Sequence, residues 1–195
     1  HGGGIEIDGS LTTPDASALS RNLNMLHNAG IHHVALEASS HGIDQKRLDG
    51  LSFKAAGFTY LGRDHLDYHG TLDRYFGAKT GLFNRLLSPT GTAVLNLDAD
   101  HYNALAKIVR SRSLNLLTYG QDKKADLRLF KTTPLPEGLA LKLEILGTPY
   151  ECTLPVIGEF QAGNLLCALG LVIGSGTAPK TACEQLGNIE SVRGR

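Results

Sequence analysis

Along the first 120 residues, stretches with apolar residues at helical spacing alternate with short apolar runs. Over residues 12–29, Leu19, Leu23 and Leu26 fall on one face at intervals of three and four, which predicts a helix. Thr13 stands where an N-cap hydroxyl is wanted, Pro14 suits the first helical position and Asp15 suits the positive end of the helix dipole. Gly30 supplies the stop. Val34, Ala35 and Leu36 read as a short buried strand ending at Glu37, and residues 53–61 as a second strand. A polar loop over 62–70 precedes a helix over about 71–87. Residues 92–97 and 114–119 are two further strands, with a helix over 99–110 between them. This alternation predicts an α/β fold, a mostly parallel sheet flanked by helices.

The pattern changes past residue 120. Segments 126–133, 138–146 and 148–156 read as three short strands joined by Pro- and Gly-bearing turns. Leu139, Leu141, Leu143 and Ile145 alternate with smaller or polar residues, as in a one-sided antiparallel strand. The expectation is a small antiparallel β-subdomain over 126–156, a sheet of its own without catalytic groups. Helices return over 160–173 and 180–186.

Composition narrows the class. The chain has 195 residues, 42% of them hydrophobic and 19% charged, which excludes a disordered chain. Lys and Arg number 19 and so do Asp and Glu, so no basic excess points to nucleic acid or a membrane surface. Residues 160–179 lack charge but carry Gln161, Asn164, Ser175 and several glycines, a poor membrane span. Cys152, Cys167 and Cys183 have no metal or redox spacing, which fits inert, mostly buried thiols in a reducing compartment. The chain opens on His1 without Met and reads as a piece of a longer protein.

Ligands in open α/β sheets bind beyond the carboxyl ends of the strands, and the polar clusters fall there. Glu37 to His41 follows one strand, Arg63 to His69 the next, and Asn96 to Asp98 closes the third. His1-Gly2-Gly3-Gly4 resembles an oxyanion loop, but the chain has no G-x-S-x-G nucleophile elbow. Gly77-Ala78-Lys79-Thr80 lacks the glycines of a phosphate loop. His65 and His69 are four apart, a spacing open to metal if the loop is helical and Glu37 joins them. Lys79 shares a helix face with Leu72, Tyr75, Leu82, Phe83 and Leu86. An amine there is a snorkelling group, half of an ion pair with Asp64 or Asp67, or a group of depressed pKa able to be modified. Asn164 is a second polar point on an apolar helix, either a buried amide satisfying its neighbours or a ligand contact.

The ordered set Thr12-Thr13-Pro14-Asp15, Glu37-Ala38-Ser39-Ser40-His41-Gly42, Asp44-Gln45-Lys46-Arg47 and Asp64-His65-Leu66-Asp67-Tyr68-His69-Gly70, with Ala78-Lys79 following, resembles the Mur ligases of bacterial cell-wall synthesis. A looser likeness runs from Gly158–Ala168 to Val192–Arg195. Within the family the likeness is to the branch acting on UDP-N-acetylmuramoyl-L-alanyl-D-glutamate. The resemblance implies that residues 1–195 are part of a central, P-loop-NTPase-like ATP-binding domain. The phosphate loop is expected upstream of His1, and the UDP-binding and amino-acid-binding domains lie outside the chain. The implied reaction adds a diamino acid, expected to be meso-diaminopimelate rather than L-lysine, through an acyl phosphate made with ATP and Mg²⁺.

The resemblance also assigns residues. Thr12, Thr13, Ser39, Gln45 and Arg47 contact the UDP-linked dipeptide. Glu37 and His65 bind magnesium together with Lys79, which is carried as a carbamate. Asn164 contacts adenine, with Gln161 where the family has another asparagine, and Arg195 lies near ATP. The implied enzyme is a cytoplasmic monomer with no nucleic-acid or membrane partner, and this chain alone is expected to be inactive. Two other readings stand beside it: a metal-dependent hydrolase using Glu37, His65 and His69, and a non-catalytic binding module.

Overall fold

The computed structural model describes residues 4–5, 7, 11–62, 64–156 and 158–189. Internal contacts divide the chain into two compact units, His1–Ser52 with Gly62–Leu86, and Phe53–Leu61 with Leu87–Arg195.

The second unit is built on one six-stranded sheet. Strands β1 (Phe53–Phe58), β2 (Leu87–Asn96), β3 (Asn115–Gly120), β4 (Leu127–Leu135), β5 (Gly138–Ile145) and β6 (Thr148–Leu154) lie side by side in chain order. The first four pair in parallel, and β4–β5 and β5–β6 pair antiparallel. The mostly parallel, helix-flanked reading is therefore met. The antiparallel strands are present, but the expected separate sheet is not, because they extend the main one. Strand β4 starts beside β3, with Tyr119 opposite Leu127 and Gly120 opposite Arg128. A side-chain clamp fixes that start: the Asp126 carboxylate accepts from the Thr118 N–H at 2.8 Å and its hydroxyl at 2.7 Å. Alternation in a sequence reports which face of a strand is buried, not which strand lies next to it. The alternation itself holds, since Leu139, Leu141, Leu143 and Ile145 are all buried in the core with Leu127 and Leu154.

A short helix (Tyr102–Ser111) links β2 to β3, and a long one (Phe160–Gly174) lies on β1, β2 and β3. The long helix is apolar on its inner side, where Ala162, Leu165, Leu166, Cys167 and Leu169 are buried. Burial pushes the Cys167 thiol up to about 11, so it stays an inert SH group. The helix approaches the sheet so closely that glycine is needed. A Cβ on Gly57 would lie 2.6 Å from Cys167 Sγ, and one on Gly170 would lie 2.6 Å from Val94 Cγ1. Gly57→Ala is expected to cost about 1–3 kcal/mol by overpacking, read as a lowered denaturant midpoint. An unchanged midpoint would mean that the helix and sheet can separate freely. After the long helix come Pro179–Glu184 and a 3₁₀ turn, Leu186–Asn188. Among the described residues no helix is long and apolar enough to cross a membrane.

The first unit is helical. We number its helices α1 (Ala16–Asn28), α2 (Ser40–Asp44), α3 (Leu66–His69) and α4 (Leu72–Gly81), the last running into a π turn, Leu82–Leu86. Ile43, Leu48, Tyr75, Phe83 and Leu86 make up much of its core. The Arg85 guanidinium pairs with Asp49 and donates to the Ile43 carbonyl at 3.0 Å.

Three expectations are corrected here. Helix α1 is capped by Asp15, whose carboxylate accepts from the N–H groups of Ser17 at 3.0 Å and Ala18 at 2.9 Å. Thr13, the expected cap, is engaged elsewhere. Residues 34–36 form no strand, and Val34 is 50% exposed. An apolar triplet becomes a strand only where a neighbour takes its N–H and C=O groups and covers its side chains. The expected loop over 62–70 contains α3, one turn of helix entered through His65 in the left-handed region at φ 58°.

Candidate functional site

The site in the first unit begins with Thr13, which is fully buried. Its hydroxyl donates to the Glu37 carbonyl at 2.9 Å and accepts from the Ser39 N–H at 2.9 Å and the Ser39 hydroxyl at 3.0 Å. Thr13 thus braces the turn that carries Glu37 and Ser39, and its own surface is closed to a ligand. Ser39 caps α2, accepting from the Gly42 N–H at 3.1 Å. Gly42 must be glycine, because a Cβ there would lie 2.6 Å from Thr13 Cγ2. Arg47 joins the same construction by donating to the Thr13 carbonyl at 2.8 Å and, through Nε, to Gln45 Oε1 at 3.0 Å. Gln45 in turn donates to Tyr68 Oη at 3.3 Å, and Tyr68 donates to the Asp44 carboxylate at 2.9 Å. Thr12, Glu37 and Gln45 are exposed.

Facing these groups is a ring cluster. The His41 ring lies 4.8 Å from His65, 4.2 Å from Tyr68 and 5.5 Å from His69, centre to centre. His69 is buried, its Nε2 3.0 Å from the Ser40 hydroxyl and its ring 5.2 Å from Tyr75. Burial, followed by the nearby His41, pushes the His69 pKa below the ordinary histidine value, which favours the neutral ring.

Lys79 lies one turn beyond Tyr75 on α4, with its Nζ 5.3 Å from the Tyr75 ring centre. It is partly buried, and burial lowers its pKa while the Glu37 carboxylate pulls it back up. The acid acting on it is therefore Glu37, not the Asp64 or Asp67 that the sequence suggested. Thr13, Glu37, Ser39, Gln45, Arg47, His65 and Lys79 all belong to this unit.

Asn164 belongs to the second unit. It is exposed on the long helix, not a buried amide, and donates to Gln161 Oε1 at 2.9 Å. The helical period places it on the outer face, away from the apolar stripe. Arg63 and Arg195 lie outside the described residues.

Among the described residues, no three His, Cys, Asp or Glu side chains converge where an ion could be held. The hydrolase reading needs Glu37, His65 and His69 to converge in such a group. His69 spends its Nε2 on Ser40 and its ring is buried. The sequence assigns no site role to His41, Tyr68 or Tyr75. Their signal was an unusual density of aromatic and imidazole groups in a polar stretch, at 41, 65, 68 and 69.

A parallel-sheet unit and a helical unit that seats a partly buried lysine over a tyrosine ring define a recognisable class. The family model of the Mur ligase middle domain matches residues 2–172, and the chain belongs to the Mur ligase family. It is 40% identical over 185 residues to the UDP-N-acetylmuramoyl-L-alanyl-D-glutamate–2,6-diaminopimelate ligase of Caulobacter vibrioides, covering 95% of this chain and 38% of that protein. It is 40% identical over 192 residues to the ligase of the same name from Bradyrhizobium diazoefficiens, covering 97% of this chain and 40% of that one. A solved structure of a UDP-N-acetylmuramoyl-L-alanyl-D-glutamate–2,6-diaminopimelate ligase superposes with a TM-score of 0.84 at 31% identity, over 93% of this chain and 37% of that one. The chain thus spans about two fifths of the length of these curated relatives.

Proposed function

We propose that the protein containing this chain is an ATP-dependent ligase that adds meso-diaminopimelate to UDP-N-acetylmuramoyl-L-alanyl-D-glutamate. The names of the similar ligases support the reaction. The observation in this chain that carries the site is the partly buried Lys79 amine over the Tyr75 ring, in the same unit as the braced turn that presents Glu37 and Ser39. The reaction joins a carboxylate to an amine through an acyl phosphate, releasing ADP and phosphate. Thr12, Ser39, Gln45 and Arg47 offer the UDP-linked dipeptide hydroxyl, amide and guanidinium groups, and Thr13 holds that surface from behind. Arg47 is the group suited to a substrate carboxylate.

Desolvation favours the neutral form of Lys79, whose nitrogen lone pair can attack CO₂ and, with loss of one N–H proton to solvent, give a carbamate. A carbamate on Lys79 and the Glu37 carboxylate would both be anionic, and a cation bound between them would offset that charge. Glu37 and the carbamate would supply oxygens of the type Mg²⁺ prefers, and His65 is the third group that the family resemblance assigns to it. Held there, Mg²⁺ would offset phosphate charge during transfer. In the second unit, the exposed Gln161–Asn164 amide pair offers donors and acceptors for an adenine edge, and Arg195 is assigned to the ATP by resemblance alone. The enzyme works as a monomer in the cytoplasm, where ATP and a nucleotide-linked substrate are available, with no nucleic-acid or membrane partner.

The test is to incubate the full-length protein with ATP, the UDP-linked dipeptide and either diaminopimelate or L-lysine, and to weigh the products. A diaminopimelate tripeptide with equimolar ADP is expected. Absence of ATP-dependent product with both amino acids would overturn the reading, and a product with lysine alone would change the substrate. The 195-residue chain by itself contains no G-x-x-x-x-G-K-[ST] to cradle the β- and γ-phosphates, so it is expected to show no ATP turnover. Turnover at a rate typical of a ligase would count against the assignment.

A further inference from the structure

We propose that His69 is a positioning residue that locks α4 to the start of α2 and thereby sets where the Lys79 amine sits in the site. The inference deepens the ligase reading and rests on it.

His69 is the last residue of α3 and is 6% exposed. Its two sides do different work. On one side, Nε2 lies 3.0 Å from the hydroxyl of Ser40, which is itself 2% exposed and opens α2 next to Ser39. On the other, the ring lies 5.2 Å from Tyr75 at an interplanar angle of 31°. Tyr75, 5% exposed, is the residue over whose ring Lys79 Nζ sits at 5.3 Å. Tyr75 and Lys79 are four apart on α4, so a shift of the tyrosine carries the lysine with it. One imidazole therefore ties the turn bearing Glu37 and Ser39 to the helix bearing the amine.

His41 and His65 do not take its place: both are more open to solvent, and the Ser40 hydroxyl is held by His69 Nε2. An apolar ring of similar size would fill the space beside Tyr75 but leave the buried Ser40 hydroxyl without this partner. A direction-setting hydrogen bond on a ring packed against its neighbour fixes orientation as well as volume.

The substitutions separate the bond from the ring. In His69→Gln the carboxamide reaches the position of Nε2, in His69→Asn it falls short, and His69→Phe keeps a ring without the bond. Two readouts are taken on the full-length protein: kcat with saturating substrates, and the carbamate resonance of Lys79 in ¹³C NMR with labelled bicarbonate. His69→Asn and His69→Phe are expected to lower kcat roughly 10- to 100-fold, the range seen when a supporting contact behind a functional group is lost. They are also expected to raise the bicarbonate needed for half-carbamylation about tenfold, the lower end of that range. The KM for ATP should stay within about twofold, because His69 touches no group assigned to the nucleotide. His69→Gln should recover most of both losses.

If all three variants merely melt earlier, while kcat and carbamylation per folded enzyme match wild type, His69 is only structural and the proposal is overturned. Should they fail to fold, Ser40→Ala removes the same bond with less disturbance. A Ser40→Ala enzyme that folds with unchanged kcat and carbamylation would overturn the proposal equally. Failure of the ligase reading shows separately, as a wild-type protein that makes no product, and the NMR comparison then still decides on His69.

Discussion

Replacing Lys79 by alanine in the full-length ligase is expected to lower kcat by about a hundredfold or more, a rise in the barrier of about 2.7 kcal/mol. The loss should fall on kcat more than on KM for the UDP-linked dipeptide, since Ser39, Gln45 and Arg47 are held by Thr13, Tyr68 and one another and not by Lys79. The fold should survive. An amine whose pKa is lowered by desolvation gains little from being charged there, so removing it costs the structure little. Lys79→Arg separates the two roles open to this residue. Arginine keeps a cation on a long stem near Glu37 and over Tyr75, but it stays protonated and cannot add CO₂. If Lys79 worked as a cation, arginine would rescue activity. As a carbamate precursor, the arginine variant is expected to be as inactive as alanine. A short carboxylic acid added to the alanine variant should restore part of the rate by supplying the missing oxygens. Near-wild-type turnover of the alanine variant would reduce Lys79 to a structural lysine.

The sequence located Lys79 because an amine among Leu72, Tyr75, Phe83 and Leu86 breaks a helix pattern that is otherwise easy to read. Its electrostatic partner was missed, because nothing local links residue 79 to residue 37. Asp64 and Asp67 are nearer along the chain, yet Glu37 is the carboxylate that acts on the amine. The same limit explains Thr13. Before Pro14 and Asp15 it looks like a cap, and only the contact across 24 residues to the Glu37 carbonyl shows that its hydroxyl is already engaged. Strand partners are likewise non-local. Leu139 to Ile145 announced an inward face correctly, whereas the joining of β4 to β3 depends on the Thr118–Asp126 clamp. Val34 to Leu36 had the composition of a strand without the neighbour that makes one. Asn164 was legible as an outlier on an apolar helix, and the structure resolves the ambiguity by placing it on the solvent side with Gln161. His69 looked like half of a metal-spaced pair with His65. Their four-residue interval is real, but α3 turns the second ring inward to Ser40 and Tyr75.

Thr13→Val is the substitution expected to damage the site most through the fold. Valine keeps the branched shape that packs against Gly42, where an added Cβ would come within 2.6 Å of Thr13 Cγ2. It removes only the hydroxyl, and with it three hydrogen bonds around one oxygen: one donated to the Glu37 carbonyl at 2.9 Å, and two accepted from Ser39 at 2.9 and 3.0 Å. The Ser39 hydroxyl can turn to another acceptor, but the Ser39 N–H and the Glu37 carbonyl are fixed by the backbone. An unsatisfied buried backbone group costs about 1–3 kcal/mol, and these groups are partly buried, so a loss of about 2–4 kcal/mol is expected for the pair. That is a large share of the 5–15 kcal/mol by which domains are typically stable. Thr13→Ser retains the oxygen and gives up one methyl, for which about 1 kcal/mol is expected. Denaturant unfolding of the two variants should therefore place valine well below serine, the reverse of the order that lost apolar packing alone would give. Function should follow the same order. Glu37 and Ser39 sit on the turn that Thr13 braces, so the valine enzyme should show a higher KM for the UDP-linked dipeptide and weaker carbamylation of Lys79. A valine variant within about 0.5 kcal/mol of wild type, the spread of an ordinary surface change, would mean that the turn holds its shape without this hydroxyl.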